Sequence, residues 1–301
     1  MKIVFMGTPN FAVKSLERLY RDGHEIACVF TQEDKPRNRG MKPGVSPVKE
    51  LAVSSGTAVH QPKTLKDPDV AAMIGDINCD LIVVVAYGKF LTKEIIDAPS
   101  LGSINIHGSV LPKYRGASPI QHAIINGEKE TGVTSQFITE QMDAGDIIFT
   151  WKTPIGDDET SGDLFLRLSE MGAGLLSETI DALSRGTVVR IPQNHAEASY
   201  APLLSRDMAA IDWNKSAYEI KCKVRGLNPW PVATMQPGAD ILKVFSVDTT
   251  DNKPDGVPGD IVSCGKSGFE VVCSDGTVIV KEVQPPGGKR MPAADYIRGR
   301  K

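Results

Sequence analysis

The sequence predicts an α/β domain built on a parallel sheet, followed by a smaller domain of short antiparallel strands. Two observations carry this prediction. Uniformly apolar, strand-length runs alternate with helix-length segments through the first two thirds of the chain, the plainest being Leu81–Ala86 (Leu-Ile-Val-Val-Val-Ala). That is the pattern of strands covered on both faces. Past Tyr200 the texture changes to short β-type runs divided by Gly, Asp, Pro and Lys, which places a domain boundary near residues 200–210.

In order along the chain, Lys2–Met6 reads as a buried strand and Gly7-Thr8-Pro9 as a turn. Phe11–Tyr20 then sets Ala12, Leu16, Leu19 and Tyr20 on one helical face, with Gly23 as its stop. Ile26–Thr31, Leu81–Ala86 and Ser103–His107 supply further strands. Thr160 and Asp163 resemble a capping box opening a long amphipathic helix, whose Leu164, Phe165, Leu168, Leu175, Leu176 and Leu183 face the core, with Gly186 beyond it. In the second domain Ile241–Val247, Gly259–Cys264, Gly268–Cys273 and Thr277–Val283 predict a small barrel or sandwich.

Composition narrows the function classes. With 301 residues and 41% hydrophobic content the chain fills an ordinary core in one large and one smaller domain. Met1–Gly7 has one lysine and a very short apolar run, unlike a signal peptide, and no stretch approaches the roughly 18 apolar residues of a membrane span. A cytoplasmic protein is expected, with no membrane association. The five cysteines, Cys28, Cys79, Cys222, Cys264 and Cys273, are scattered without a C-x-x-C pair or nearby histidines at zinc-site spacing, so reduced thiols and no metal are expected. A net charge of −3 argues against a uniformly basic nucleic-acid coat. The segment from Lys35 to Lys49 is the exception, since it holds Lys35, Arg37, Arg39, Lys42 and Lys49 without one acid. By itself such a run reads as a solvated loop. Dinucleotide binding at the first turn is disfavoured, because Gly7-Thr8-Pro9-Asn10-Phe11 lacks the second and third glycines of the fingerprint and Pro9 removes a backbone N–H.

The chemistry concentrates in Gly102–Gly116. Side chains two apart on a strand point the same way, so Asn105 and His107 share a face and Ile104 and Ile106 the other. The glycine and proline that follow end the strand, placing an amide donor and an imidazole at its carboxyl end, where open α/β sheets keep their ligand crevices. A donor beside a titratable base suits a reaction passing through an oxyanion; a turn-binding asparagine and a satisfied core histidine would look the same. His24, His60, His122 and His195 have no comparable setting.

Asn-x-His followed by Ser-x-Leu-Pro and Arg-Gly, with Met142-Asp143-Ala144-Gly145-Asp146 downstream, resembles the signature of enzymes that use 10-formyltetrahydrofolate. The resemblance implies a catalytic trio of Asn105, His107 and Asp143 and a folate-binding stretch of Ser109, Val110, Leu111 and Pro112. Met142 and Val110 stand where leucines are common, and both keep the site apolar. Asp146 is a competing aspartate that only the family pattern ranks below Asp143. Further pieces run end to end and are similar to the methionyl-tRNA formyltransferase family: Met6–Ala12, Thr31–Pro36, Ser46–Lys49, Val84–Gly88, Ile211–Trp213 and Arg225–Pro231 with its Asn-Pro-Trp-Pro.

This resemblance implies a Rossmann-like formyltransferase domain over residues 1–204 and a C-terminal, OB-like β-barrel that binds tRNA over 205–301. It implies initiator methionyl-tRNA as acceptor, 10-formyltetrahydrofolate as co-substrate, a role in translation initiation, and a monomer. It turns the basic segment into a tRNA contact through Lys35, Arg37, Arg39 and Lys42, although Glu33 and Asn38 replace the usual proline and glycine there. Formyl transfer to a sugar-nucleotide or purine-pathway amine and hydrolysis of the formyl folate share the trio. A non-catalytic RNA- or folate-binding protein would share only the fold.

Overall fold

In the computed structural model, which describes residues 1–37 and 42–299, the chain divides into two compact units. The first comprises 1–119, 131–153 and 165–201; the second comprises 120–130, 154–164 and the chain from Pro202 onward.

The first unit opens with β1 (Lys2–Gly7), α1 (Asn10–Arg21) and β2 (Glu25–Phe30). In α1 the buried positions Phe11, Ala12, Ser15, Leu16 and Leu19 recur at helical spacing and form one stripe. Tyr20 lies at its margin and bonds Thr57 through its hydroxyl. The helix stops where Gly23 takes a left-handed φ of 77°. A short antiparallel hairpin follows, β3 (Lys35–Arg37) and β4 (Lys42–Gly44), with Lys35 opposite Gly44 and Arg37 opposite Lys42. Then come α2 (Pro47–Ser54), capped by Ser46, β5 (Val59–His60), α3 (Pro68–Ile77), capped by Asp67, β6 (Leu81–Val85), α4 (Lys93–Asp97) and β7 (Ser103–His107). Four elements have residues in both units: α5 (Pro119–Ile125), β8 (Glu130–Phe137), β9 (Ile147–Pro154) and α6 (Ser161–Arg185).

The strands form one sheet in the order β5-β2-β1-β6-β7-β8-β9. It is parallel from β5 through β7, and both faces are covered: Val4 and Met6 join a core with Cys28, Phe30, Val70, Ile74, Ile82, Val84 and Ile95, while the alternate Ile3 and Phe5 are equally buried on the other face. Beyond β7 the sheet departs from the parallel pattern, because β8 runs antiparallel to β7. The apolar-run criterion does not find β8, whose Glu-Thr-Gly-Val-Thr-Ser-Gln-Phe is largely polar. Its buried hydroxyls and amide are accommodated by hydrogen bonds: Thr134 donates to the Ser109 carbonyl, Ser135 accepts from Thr179 and from the Phe149 N–H, and Gln136 donates to Asp143. In α6, Thr160 and Asp163 cap each other reciprocally, the expected leucines are buried, and Phe165 packs edge-on against Phe11.

In the second unit α7 (Ala217–Gly226) begins at a capping box between Ser216 and Glu219. It is followed by β10 (Ala233–Met235), β11 (Leu242–Thr250), β12 (Ile261–Gly265), β13 (Gly268–Val272), β14 (Thr277–Gln284), β15 (Met291–Pro292) and α8 (Ala293–Arg298). These strands make one antiparallel sheet in the order β10-β11-β14-β13-β12, with β15 also on β14. Alternate residues Leu242, Val244, Phe269, Val271, Val278 and Val280 share a core with Ile220, Val224 and Leu227 around α7 and Ala293 of α8. Register shifts near Ser246 and Ser263 mark bulges, the device by which strands bend around such a core.

Candidate active site

Asn105 and His107 project from the same face of β7, and the antiparallel register sets Gln136 opposite Asn105 and Thr134 opposite His107. Four polar side chains on neighbouring strands therefore share one face. Asp143 reaches them from the turn between β8 and β9, where it adopts a left-handed φ of 50°. The turn can come this close because residue 145 is glycine: a Cβ there would sit 1.9 Å from the Phe137 carbonyl oxygen.

The Asp143 carboxylate is the meeting point. Its Oδ1 accepts from Asn105 Nδ2 at 3.3 Å and from Gln136 Nε2 at 3.2 Å, and its Oδ2 accepts from the Gly116 N–H at 2.8 Å. The His107 Nδ1 lies 3.7 Å from Oδ2. On the far side of the ring, Nε2 lies 2.9 Å from the Tyr114 carbonyl oxygen. A carbonyl only accepts, so Nε2 carries a proton and Nδ1 is the nitrogen left to exchange one with the crevice. The imidazole is buried.

The structure thus brings Asn105, His107 and Asp143 together and separates the two aspartates geometrically. The Asp143 carboxylate enters the cluster, whereas Asp146 contributes its main-chain oxygen to the Phe137 N–H. Ser109, Val110, Leu111 and Pro112 follow β7 directly. Ser109 is buried, with its hydroxyl on the Lys113 carbonyl, and Leu111 donates its N–H to Thr134; Val110 and Pro112 are partly exposed. Sequence reasoning assigns no role to Gln136, Gln193, the Gly116 N–H or the Arg115 side chain. The register of β8 against β7 would have exposed Gln136; nothing local marks Gln193.

Of the basic segment, Arg39 lies outside the described residues, and for Lys35, Arg37 and Lys42 the backbone of the hairpin is described. Its base is pinned on both sides. Asp34 accepts from Lys49 Nζ at 2.5 Å and from Gln61 at 2.9 Å, and Thr31 bonds Ser46 at 2.8 Å. The hydrogen bonds from Lys49 and then Gln61 hold the Asp34 carboxyl below the usual carboxylate range. Among the described residues no group of three or more His, Cys, Asp or Glu could hold a metal ion, and no helix is long and apolar enough to cross a membrane.

Fold and site fall together in the class of formyl transferases. The family model "Formyl transferase" matches residues 1–180, and "Formyl transferase, C-terminal domain" matches 203–301. Among solved structures, an N-formyltransferase from Helicobacter canadensis in complex with folinic acid and dTDP-3-aminofucose superimposes with a TM-score of 0.68 at 20% identity, over 93% of this chain and 98% of that one. HypX from Aquifex aeolicus in complex with tetrahydrofolic acid does so with a TM-score of 0.67 at 17% identity, over 99% of this chain and 47% of that one. These show the fold alone. Sequence relatives narrow the class: the methionyl-tRNA formyltransferase of Acetivibrio thermocellus is 45% identical, covering 100% of this chain and 97% of the relative. That of Clostridioides difficile is 44% identical, covering 99% and 97%. The chain belongs to the methionyl-tRNA formyltransferase family, and it is an enzyme of formyl transfer.

Proposed function

We propose that this enzyme moves the formyl group of 10-formyltetrahydrofolate to the α-amino group of methionine esterified to initiator tRNA. The observation that carries the reading is the convergence of Asn105, His107 and Asp143 at the carboxyl end of β7. Asn105 spends one amide N–H on Asp143 and offers the second to the carbonyl oxygen that becomes negative when the methionine amine adds to the formyl carbon. His107, with Nε2 committed to Tyr114, donates or takes its proton through Nδ1. Asp143 faces that nitrogen and stabilises positive charge on the ring while the proton leaves the attacking amine. The C–N bond to N10 of the folate then breaks, and the proton is passed to the leaving nitrogen. An amine is already a nucleophile once neutral, so the sequence needs no covalent enzyme intermediate.

Ser109–Pro112, beside the trio, is the proposed folate contact. The partly exposed Val110 and Pro112 offer apolar surface next to the amide and imidazole, which suits an aromatic donor whose reacting carbon lies at its polar end. Residues 1–204 carry the chemistry in this reading, and 205–301 bind tRNA. Lys35, Arg37, Arg39 and Lys42 neutralise phosphates of the acceptor end, contributing salt-dependent affinity. The free thiols Cys28, Cys79, Cys222, Cys264 and Cys273 suit a reducing cytoplasm, where the enzyme acts as a monomer. The test is formyl transfer from labelled donor to charged initiator tRNA. Label in acid-precipitable RNA is expected, and Asn105→Ala should reduce its rate by on the order of 10²-fold or more. Label confined to a small amine or released as formate would point instead to a sugar-type acceptor or to water.

A further inference from the structure

Behind Asp143 lies a line of buried polar groups that the reaction just described does not use. Arg115 is only 3% exposed, and a guanidinium has donors and no acceptor. Its Nε and Nη2 both reach Gln193 Oε1, at 3.1 and 2.7 Å, and Nη2 also reaches His195 Nδ1 at 3.1 Å. This contact fixes which way round the Gln193 amide sits. With its oxygen turned to Arg115, Gln193 presents Nε2 to three acceptors: Gln136 Oε1 at 3.0 Å and the main-chain oxygens of Asp143 at 2.9 Å and Gly145 at 2.8 Å. The Gln136 oxygen being occupied, its Nε2 points to Asp143 Oδ1. Either amide taken alone could be reversed at little cost. Reversing one here would set oxygen against oxygen at one end and N–H against N–H at the other, in a buried site where each unsatisfied group is costly.

We propose that Arg115, Gln193 and Gln136 are positioning residues forming a polarity relay, through which a buried donor-only group dictates that the Asp143 side chain is met by donors. The consequence is that Asp143 stands opposite Asn105 and His107 as an acceptor-only carboxylate. A neutral acid there would turn its own O–H toward a donor at Asn105, Gln136 or the Gly116 N–H, leaving the more distant His107 Nδ1, 3.7 Å away, as the one acceptor among these neighbours. The relay passes on an orientation without bringing the arginine's charge into direct contact with the carboxylate, so the charge of Asp143 stays directed at the imidazole. The titratable groups facing this carboxylate are His107 from β7 and, through the two amides, Arg115 with His195 behind it. The proposal rests on the reading that Asp143 takes part in formyl transfer.

The test is the pH dependence of kcat for the full-length enzyme with 10-formyltetrahydrofolate and methionyl-tRNA, comparing the parent with Gln136→Glu, Gln136→Leu and Gln193→Glu. Gln136→Glu keeps size and shape but sets a second carboxylate against Asp143. Two carboxylates so close share a proton, so the acid limb of the profile should move up by about one pH unit or more. Gln193→Glu keeps the contact with Arg115 and replaces the relay's donor by an acceptor facing three oxygens. It should lower kcat by about tenfold, in line with one lost hydrogen bond to a charged group. Both substrates' KM values should stay within about twofold, since no relay residue is placed against substrate. A purely structural role would instead lower the melting temperature and leave the pH profile in place. A Gln136→Glu enzyme with the parent's profile and kcat overturns the relay, and if the Gln136 variants do not fold, an unchanged kcat in Gln193→Glu overturns it equally. Asp143→Asn separates the two levels. Loss of activity there with an unaltered Gln136→Glu sinks the relay alone, whereas a parent that transfers no formyl group to methionyl-tRNA sinks the underlying reading and the relay with it.

Discussion

Two aspartates on the same unit are held in opposite ways. Asp143, beside β7 and β8, is met by three neutral donors, the Asn105 amide, the Gln136 amide and the Gly116 N–H, with the His107 ring 3.7 Å away. Asp34, just past β2, is met by the ammonium of Lys49 at 2.5 Å, with the Gln61 amide beside it. Neutral donors orient a carboxylate and leave its charge available to act on something else. An ammonium in contact cancels that charge, which suits a carboxylate whose task is to hold two chain segments together. The pair therefore contrasts a carboxylate oriented by neutral donors with one held in contact with an ammonium, although both are aspartates in the segments that link strands.

The sharpest way to break this comparison is to neutralise each in turn. Asp143→Asn replaces a carboxylate oxygen by an N–H, which then opposes Gln136 or Gly116, and it removes the charge facing His107. Turnover is expected to fall by on the order of 10²-fold or more, with the KM for methionyl-tRNA little changed. Asp34→Asn should do the reverse. It breaks the ion pair with Lys49, which keeps its hydrogen bond to Gln61, and loosens the base of the β3–β4 hairpin, so the KM for tRNA should rise by no more than about fivefold, the worth of one partly exposed ion pair, while kcat and the folate KM hold. If kcat collapsed in Asp34→Asn, the anchor would prove to be coupled to the chemistry and the contrast would fail.

What the sequence makes legible follows the same division. Asn105 and His107 could be placed on one face of one strand because strand alternation is a local rule, and the elements β1, α1, β7 and α6 follow from local apolar spacing and capping. That Asp143, and not Asp146, meets Asn105 and His107 is implied in the sequence by the family pattern alone. Physically it depends on the left-handed turn at Asp143 and on Gly145 lying against the Phe137 carbonyl, a long-range approach no spacing rule contains. Strand β8 escaped detection because its buried side chains are polar and satisfied by partners far along the chain, such as Thr179 for Ser135. Gln193 escaped for the same reason: its value lies in contacts to residues 48 to 78 positions away. In the second unit the main strand runs are readable, whereas the short β10 and β15 are strands only because β11 and β14 pair with them.

The smallest expected effect tests the anchoring side of the comparison without touching activity. The folded Asp34 carboxyl titrates below its ordinary value of 3.8, chiefly because of the hydrogen bond from Lys49. A carboxyl depressed in this way contributes stability that is fully present above its unfolded value and is lost as pH falls through the lower folded one. The contribution is small because the Asp34 and Lys49 side chains are each 24% exposed, and an ion pair open to solvent is worth about 1 kcal/mol at most. Denaturant unfolding of the parent and Asp34→Asn should differ by no more than that near neutral pH, and the two should converge below about pH 3.8. Added salt should narrow the neutral-pH gap as well, because screening weakens a partly exposed pair. A gap that persisted unchanged at pH 3 or in high salt would mean that the packing of the amide, and not the loss of the ion pair, set the stability of the hairpin's base.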